Sequence, residues 1–139
     1  MSKRESQIQA DIKLSLPLPP SLNAAYINDR FTNRRIRTKV CKDYINYVGL
    51  QLNTMHLEPL KLVPLFWVWW YWPDKRVRDS DNYFKVLYDA LKGKLFTDDR
   101  WTVIPDYNVR NRLSKDNPRV EIVIAGPNKC NDNKQIEGK

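Results

Sequence analysis

Residues 60–92 read LKLVPLFWVWWYWPDKRVRDSDNYFKVLYDALK. The first part is rich in Val, Phe, Trp and Tyr, side chains that suit a pleated, mostly buried surface, and it predicts a buried strand over 60–72. Pro64 has no amide to donate and places the start of that strand near a sheet edge. Pro73 and Asp74 turn the chain. Beyond them Tyr83, Phe84, Leu87, Ala90 and Leu91 fall at i, i+1, i+4, i+7 and i+8, the apolar stripe of a helix over 82–92. Asp81, Lys85 and Asp89 stand four apart on a different, polar side. Ser80 or Asp81 can cap the helix start, and Gly93 can end it.

Upstream, Ile12, Leu14 and Leu16 alternate with Lys13 and Ser15, a half-buried strand closed by Pro17. Pro19, Pro20, Ser21, Leu22 and Asn23 read as a rigid connection outside regular structure. The basic segment up to Thr38 is expected to be loop or a short ribbon. Val40, Tyr44, Tyr47, Val48, Leu50 and Leu52 give a helix over 39–55 a broad apolar side. Downstream, strands are expected over 101–110 and 119–125. The fold class is therefore α+β: a single two-layer domain over residues 1–126, with a mixed β-sheet packed against helices. Residues 127–139 hold only Ile136 as a large apolar side chain and are expected to form a disordered tail.

Composition excludes several functions. The one histidine, His56, leaves Ser/His and Cys/His chemistry almost nowhere to stand. Two cysteines, Cys41 and Cys130, make neither a disulfide framework nor a four-ligand zinc site. No apolar run reaches the ~20 residues of a membrane-spanning helix, and the charged start MSKRESQIQADIK is unlike a signal peptide. These features lead us to expect a cytoplasmic protein with no membrane partner. Catalysis, if present, must rest on carboxylates, lysines or a bound metal.

The net charge of +8 points to an anionic partner, and its distribution says more than its size. Arg30, Arg34, Arg35, Arg37, Lys39 and Lys42 fall in a stretch with no acid. Lys75, Arg76 and Arg78 directly precede Asp79-Ser80-Asp81-Asn82, and Arg110, Arg112, Lys115 and Arg119 form a third group. Every carboxylate between Asp74 and Asp106 is an aspartate. One aspartate at a helix start is enough for capping. Asp79 and Asp81, joined by Asp98 and Asp99 from a later loop, would repel one another unless a cation sat between them. Mg²⁺ and Mn²⁺ prefer such oxygen donors, and phosphodiester hydrolysis needs the water activation and leaving-group stabilisation they supply. Capping and metal binding both remain open at this point. Lys85 likewise has two readings, a helix-surface salt bridge or a contact to a scissile phosphate.

The string from Arg76 through Asp79-Ser-Asp81-Asn82, Lys85 and Asp89-Ala-Leu91 to Phe96-Thr-Asp98-Asp99 resembles the signature of the RusA family of Holliday junction resolvases. The opening Pro17-Leu-Pro-Pro-Ser-Leu-Asn23-Ala-Ala-Tyr26 is similar to that family's as well. The resemblance spans residues 10–125 in order. It implies a homodimeric, Mg²⁺-dependent endonuclease (Mn²⁺ substituting) that resolves four-way DNA junctions by paired cuts in recombination and repair. By position it implies Asp79, Asp81 and Asp99 as metal ligands, with Asp98 the alternative to Asp99, Lys85 as the catalytic lysine, and Asn82 at the DNA. Two departures stand out. The loop after Leu91 is a residue short and runs Gly93-Lys94-Leu95-Phe96, and Val77 interrupts the basic run.

Arg34, Arg35, Arg37, Arg76 and Arg78 are the expected phosphate contacts. The aromatic wall 66–72 is expected to be mostly core or dimer interface rather than a stacking platform. The competing readings are a non-catalytic nucleic-acid-binding module of the same fold and, with least support at this chain length, a nucleotide-sugar transferase using Asp-x-Asp.

Overall fold

The computed structural model describes residues 12–98 and 100–125; Asp99, Cys130 and the expected tail lie outside the described residues. The elements are β1 (Ile12–Leu16), α1 (Leu22–Ala25), β2 (Tyr26–Asn28), β3 (Arg35–Arg37), α2 (Lys39–Asn53), β4 (Leu65–Trp72), α3 (Asp81–Leu91), β5 (Tyr107–Leu113) and β6 (Arg119–Ala125). Helices with a mixed sheet make the α+β class that the patterning predicts. The chain forms two compact units, and it passes between them repeatedly.

The first unit contains the sheet, ordered β1-β6-β4-β5, with β6 antiparallel to both its neighbours and β4 parallel to β5. Period-two alternation sorts the aromatic wall. Phe66, Val68, Trp70 and Trp72 are buried, together with Val120, Ile122 and Ile124 of β6. Trp67, Trp69 and Tyr71 take the opposite face and are half-buried. That face is not bare. The guanidiniums of Arg110, Arg112 and Arg119 lie over the rings of Trp67, Trp69 and Tyr71 at 4.9, 5.1 and 3.8 Å, where the ring quadrupole attracts them. The Trp72 indole donates to Asn111 Oδ1 at 2.9 Å.

Two expectations shift here. The strand begins at Leu65, after Pro64, rather than at residue 60. The strand expected over 101–110 runs Tyr107–Leu113 instead. Arg100 O accepts from the amides of Val103 and Ile104 at 2.9 and 3.0 Å, a turn that takes up residues 100–104, and Pro105 cannot donate to a ladder.

The second unit holds α1, the β2–β3 ribbon, α2 and α3. The rigid connection proves to be partly regular: Leu22–Ala25 is one helical turn, its start capped by Ser21 Oγ accepting from the Ala24 amide at 3.3 Å. A single turn is too short for periodicity to reveal. The ribbon pairs Ile27 with Ile36, and Asp29 closes its turn by accepting from the Thr32 hydroxyl at 2.6 Å. Thr38 serves two elements. Its hydroxyl accepts from the Cys41 amide at 3.3 Å, capping α2, and donates to Ala24 O at 2.7 Å. On α2 Cys41, Tyr44, Val48 and Leu52 are buried, as are Phe84, Leu87, Ala90 and Leu91 on α3. Gly93, at φ 81°, ends α3 as expected.

Ile122 is fully buried and lies opposite both Leu14 and Val68. Ile122→Ala should cost about 2–5 kcal/mol in denaturant unfolding. Arg112→Ala removes one exposed ring contact and should cost less than about 1 kcal/mol.

Candidate active site

The chain enters α3 through a turn that Asp79 makes. Its Oδ1 accepts from the Asp81 amide at 3.1 Å, while its main-chain oxygen accepts from the Asn82 amide at 3.0 Å. Ser80 makes no side-chain cap, and the main-chain oxygen of Ser80 takes the amides of Tyr83 and Phe84. The expectation that Ser80 or Asp81 caps the helix is therefore corrected in favour of Asp79. Serine at position 80 adopts a helical backbone conformation, which turns its hydroxyl away from the amides a cap must reach.

Both aspartates are exposed. One Asp79 oxygen is occupied by an amide, which leaves the other, and both of Asp81's, as acceptors toward solvent. The positive end of the α3 dipole favours negative charge here by about 0.3–1 kcal/mol. All the donors are hard carboxylate oxygens. An ion such as Mg²⁺, which keeps several waters and is held by one or two carboxylates plus phosphate oxygens, fits such a pair.

No three His, Cys, Asp or Glu side chains among the described residues stand together as a metal-holding group. Asp98 is thus not brought to Asp79 and Asp81. Its Oδ1 is 3.8 Å from Lys92 Nζ. Asp99 lies outside the described residues.

One turn past Asp81, Lys85 Nζ meets Asp89 Oδ1 at 3.0 Å, so its salt bridge runs forward along α3 and not back to Asp81. The two partners differ in setting: the Lys85 side chain is 52% exposed and that of Asp89 only 5%. A carboxylate buried to that extent must be compensated. Its second oxygen is met by the hydroxyl of Tyr26, 63 residues earlier in the chain, which donates to Asp89 Oδ2. Burial first, then the bond to Asp89 and the carboxylate's charge, push the Tyr26 phenol up to about 12. It stays a protonated donor at any ordinary pH.

Tyr26, Lys85 and Asp89 lie in a cleft of about 760 Å³ whose lining also includes Arg35 and Arg37 of β3. The Arg35 guanidinium lies over the Tyr26 ring at 4.9 Å. Of the expected phosphate contacts, Arg35 and Arg37 are thus gathered beside Lys85. Arg34 sits exposed at the ribbon turn, and its main-chain oxygen accepts from Asp29 at 2.7 Å. Arg76 and Arg78 precede α3, with Arg78 Nη1 3.4 Å from Arg76 O. Sequence reasoning left Tyr26 and Asp89 without a role. The i,i+4 spacing from Lys85 to Asp89 was a usable signal; the link to Tyr26 depends on the fold.

Because the Tyr26 phenol titrates higher in the folded protein than its ordinary 10.0, the stability it lends is whole below pH 10 and is lost as pH climbs towards 12. The wild type should therefore lose more stability between pH 10 and 12 than Tyr26→Phe, when urea midpoints are followed across that range.

A family model described as endodeoxyribonuclease RusA matches residues 17–125. A search of curated proteins finds no match for the chain. The family match takes in every element from α1 to β6, including the aspartate pair at the start of α3 and the basic ribbon. The chain belongs to the RusA endodeoxyribonuclease family.

Proposed function

We propose that the chain is a divalent-metal-dependent endonuclease that resolves four-way DNA junctions, and that it acts as a homodimer in recombination and repair. The observation that carries this reading is the placement of Asp79 and Asp81 side by side and exposed at the start of α3. Lys85 follows one turn on, beside Arg35 and Arg37 in the cleft.

Asp79 and Asp81, completed by Asp99, are the residues that would hold Mg²⁺ (or Mn²⁺). When bound, the ion supplies polarisation of the scissile phosphate and activation of the attacking water. The rest falls to the chain itself. Lys85 has three donors and gives one to Asp89, so its remaining N–H groups can stabilise the charge that builds on the phosphoryl oxygens. The Asp89 bond keeps the lysine in one rotamer on the helix that begins at Asp81. Asn82, exposed beside Asp81, offers an amide to a neighbouring sugar or phosphate. Arg34, Arg35, Arg37, Arg76 and Arg78 hold the flanking phosphates, which orient the strand without reading its sequence.

A junction-cleavage assay with and without Mg²⁺ tests this. Asp79→Asn and Asp81→Asn should each lose cleavage by ~10²-fold or more, as expected when charge stabilisation at the reacting phosphate is lost, while still binding junctions. Lys85→Ala should lose activity and should also lower the unfolding midpoint, since it takes from the buried Asp89 carboxylate one of its two partners. Wild-type cleavage by either Asp variant, or cleavage in excess chelator, would sink the assignment. A fold that binds junctions and never cuts them would instead be a binding module.

Two cuts on opposing strands require two sites, and a two-fold dimer presents one to each. Light scattering at micromolar concentration should return twice the 16.5 kDa chain mass. An active monomer there would contradict the dimer.

A further inference from the structure

The cleft beside Lys85 contains more positive charge than the expected contacts account for. Arg35, Arg37, Lys85, Lys92 and Lys94 line it, and Asp89 is the single carboxylate among its lining residues. That carboxylate is already bonded to Tyr26 and Lys85. Lys92 lies 3.8 Å from Asp98. Lys94 has no carboxylate partner among the described residues, yet it is half-buried.

What holds Lys94 in place is a gap in α2. Gly49 is a helix-interior glycine, a position where alanine is intrinsically more favourable. A Cβ built there would stand 3.0 Å from Lys94 Cε and 3.6 Å from its Nζ. The missing side chain lets the lysine stem lie flat against the helix, and Lys94 is among the residues that line both this cleft and a smaller one beside Leu52 and His56. From Lys85 to Lys92 the helix rises about 10 Å, roughly the axial rise of three nucleotides in one strand.

We infer that this cleft is a phosphodiester track: the DNA strand that enters at Asp79 and Asp81 continues along α3 past Lys85, and Lys94, seated on Gly49, holds one of its phosphates. The inference rests on the reading of the chain as a DNA-cutting enzyme and adds a contact outside the basic runs read from the sequence. Lys94 carries no sequence information; it contributes affinity and register alike to branched and linear DNA.

The test is binding of the full chain to a four-way junction and to linear duplex by fluorescence anisotropy, without divalent metal, across a salt series. Lys94→Gln should flatten the slope of log K against log salt by about 0.9 for each subunit engaged on either DNA, hence by about 1.8 for a dimer seated on a junction, the loss of one phosphate contact per subunit, and Lys94→Arg should restore it. Gly49→Ala should flatten the slope similarly while its unfolding midpoint stays at or above wild type, because the new Cβ displaces only the far end of a flexible side chain. An unchanged slope in Lys94→Gln overturns the inference. So does a slope loss that accompanies a lowered unfolding midpoint and is not restored by arginine. Stabilisation of the wild type by inorganic phosphate that Lys94→Gln abolishes, with the DNA slope unaltered, assigns the site to free phosphate and also overturns it. Since no cleavage is read, a Lys94-dependent slope in a protein that cuts DNA without Asp79 or Asp81 would leave the track standing and remove only the catalytic reading.

Discussion

Asp89 presents its carboxylate to an interior where it keeps almost no contact with water, and the local arrangement of the second unit is built around that charge. Left unpaired, a buried carboxylate is costly enough to neutralise itself or to unfold its surroundings. Two donors of different kinds prevent this. Lys85 comes from the same helix and is half in solvent; Tyr26 comes from the start of the ribbon. The carboxylate therefore fixes β2 to α3 and at the same time selects the rotamer of Lys85, one turn past Asp81. A helix-surface salt bridge between two exposed partners contributes only a few tenths of a kcal/mol. Burying one partner and giving it a second bond makes the same spacing a positional constraint.

The surplus of positive charge is divided between two uses that a net value cannot separate. In the sheet unit, Arg110, Arg112 and Arg119 lie on aromatic faces. In the other, Arg35, Arg37, Lys85, Lys92 and Lys94 converge on a cleft with one compensated carboxylate. The first group covers rings that would otherwise be an apolar patch; the second leaves a concave surface suited to an anion. Basic residues grouped together in sequence thus differ in their availability to a ligand.

The same distinction marks how far the sequence could be read. Long periodic segments were legible: the alternation in β4 and β6 and the apolar stripe of α3 describe elements whose burial is dictated within one stretch of chain, whereas the broad side read for α2 is narrower than its apolar residues suggest, with Tyr44, Val48 and Leu52 buried and Val40, Tyr47 and Leu50 exposed. The short or interrupted ones were not. Leu22–Ala25 is too brief to show a period, and the displaced start of β5 depends on a turn at Arg100 whose bonds are local but carry no residue signature. At the candidate site, the aspartate pair, Lys85 and the basic ribbon could be named from their order. That Asp79 rather than Ser80 closes the helix start follows from a backbone angle. The partnership of Tyr26 with Asp89, and of Gly49 with Lys94, joins residues that only the fold brings together, and no spacing encodes it.

The strand order has a consequence for synthesis. β6 is the last strand made among the described residues, yet it lies between β1 and β4 and supplies hydrogen-bonding partners to both. On the ribosome, β4 is complete by Trp72, whereas β6 begins at Arg119. At roughly 5–20 residues per second, several seconds pass before the middle of the sheet exists. Throughout that interval an eight-residue strand of Trp, Phe, Val, Leu and Tyr has an open edge, the kind of surface that pairs with other nascent chains. A ribosome that stops short of residue 119 would release a polypeptide carrying every residue assigned here to chemistry and still lacking the strand that joins β1 to β4.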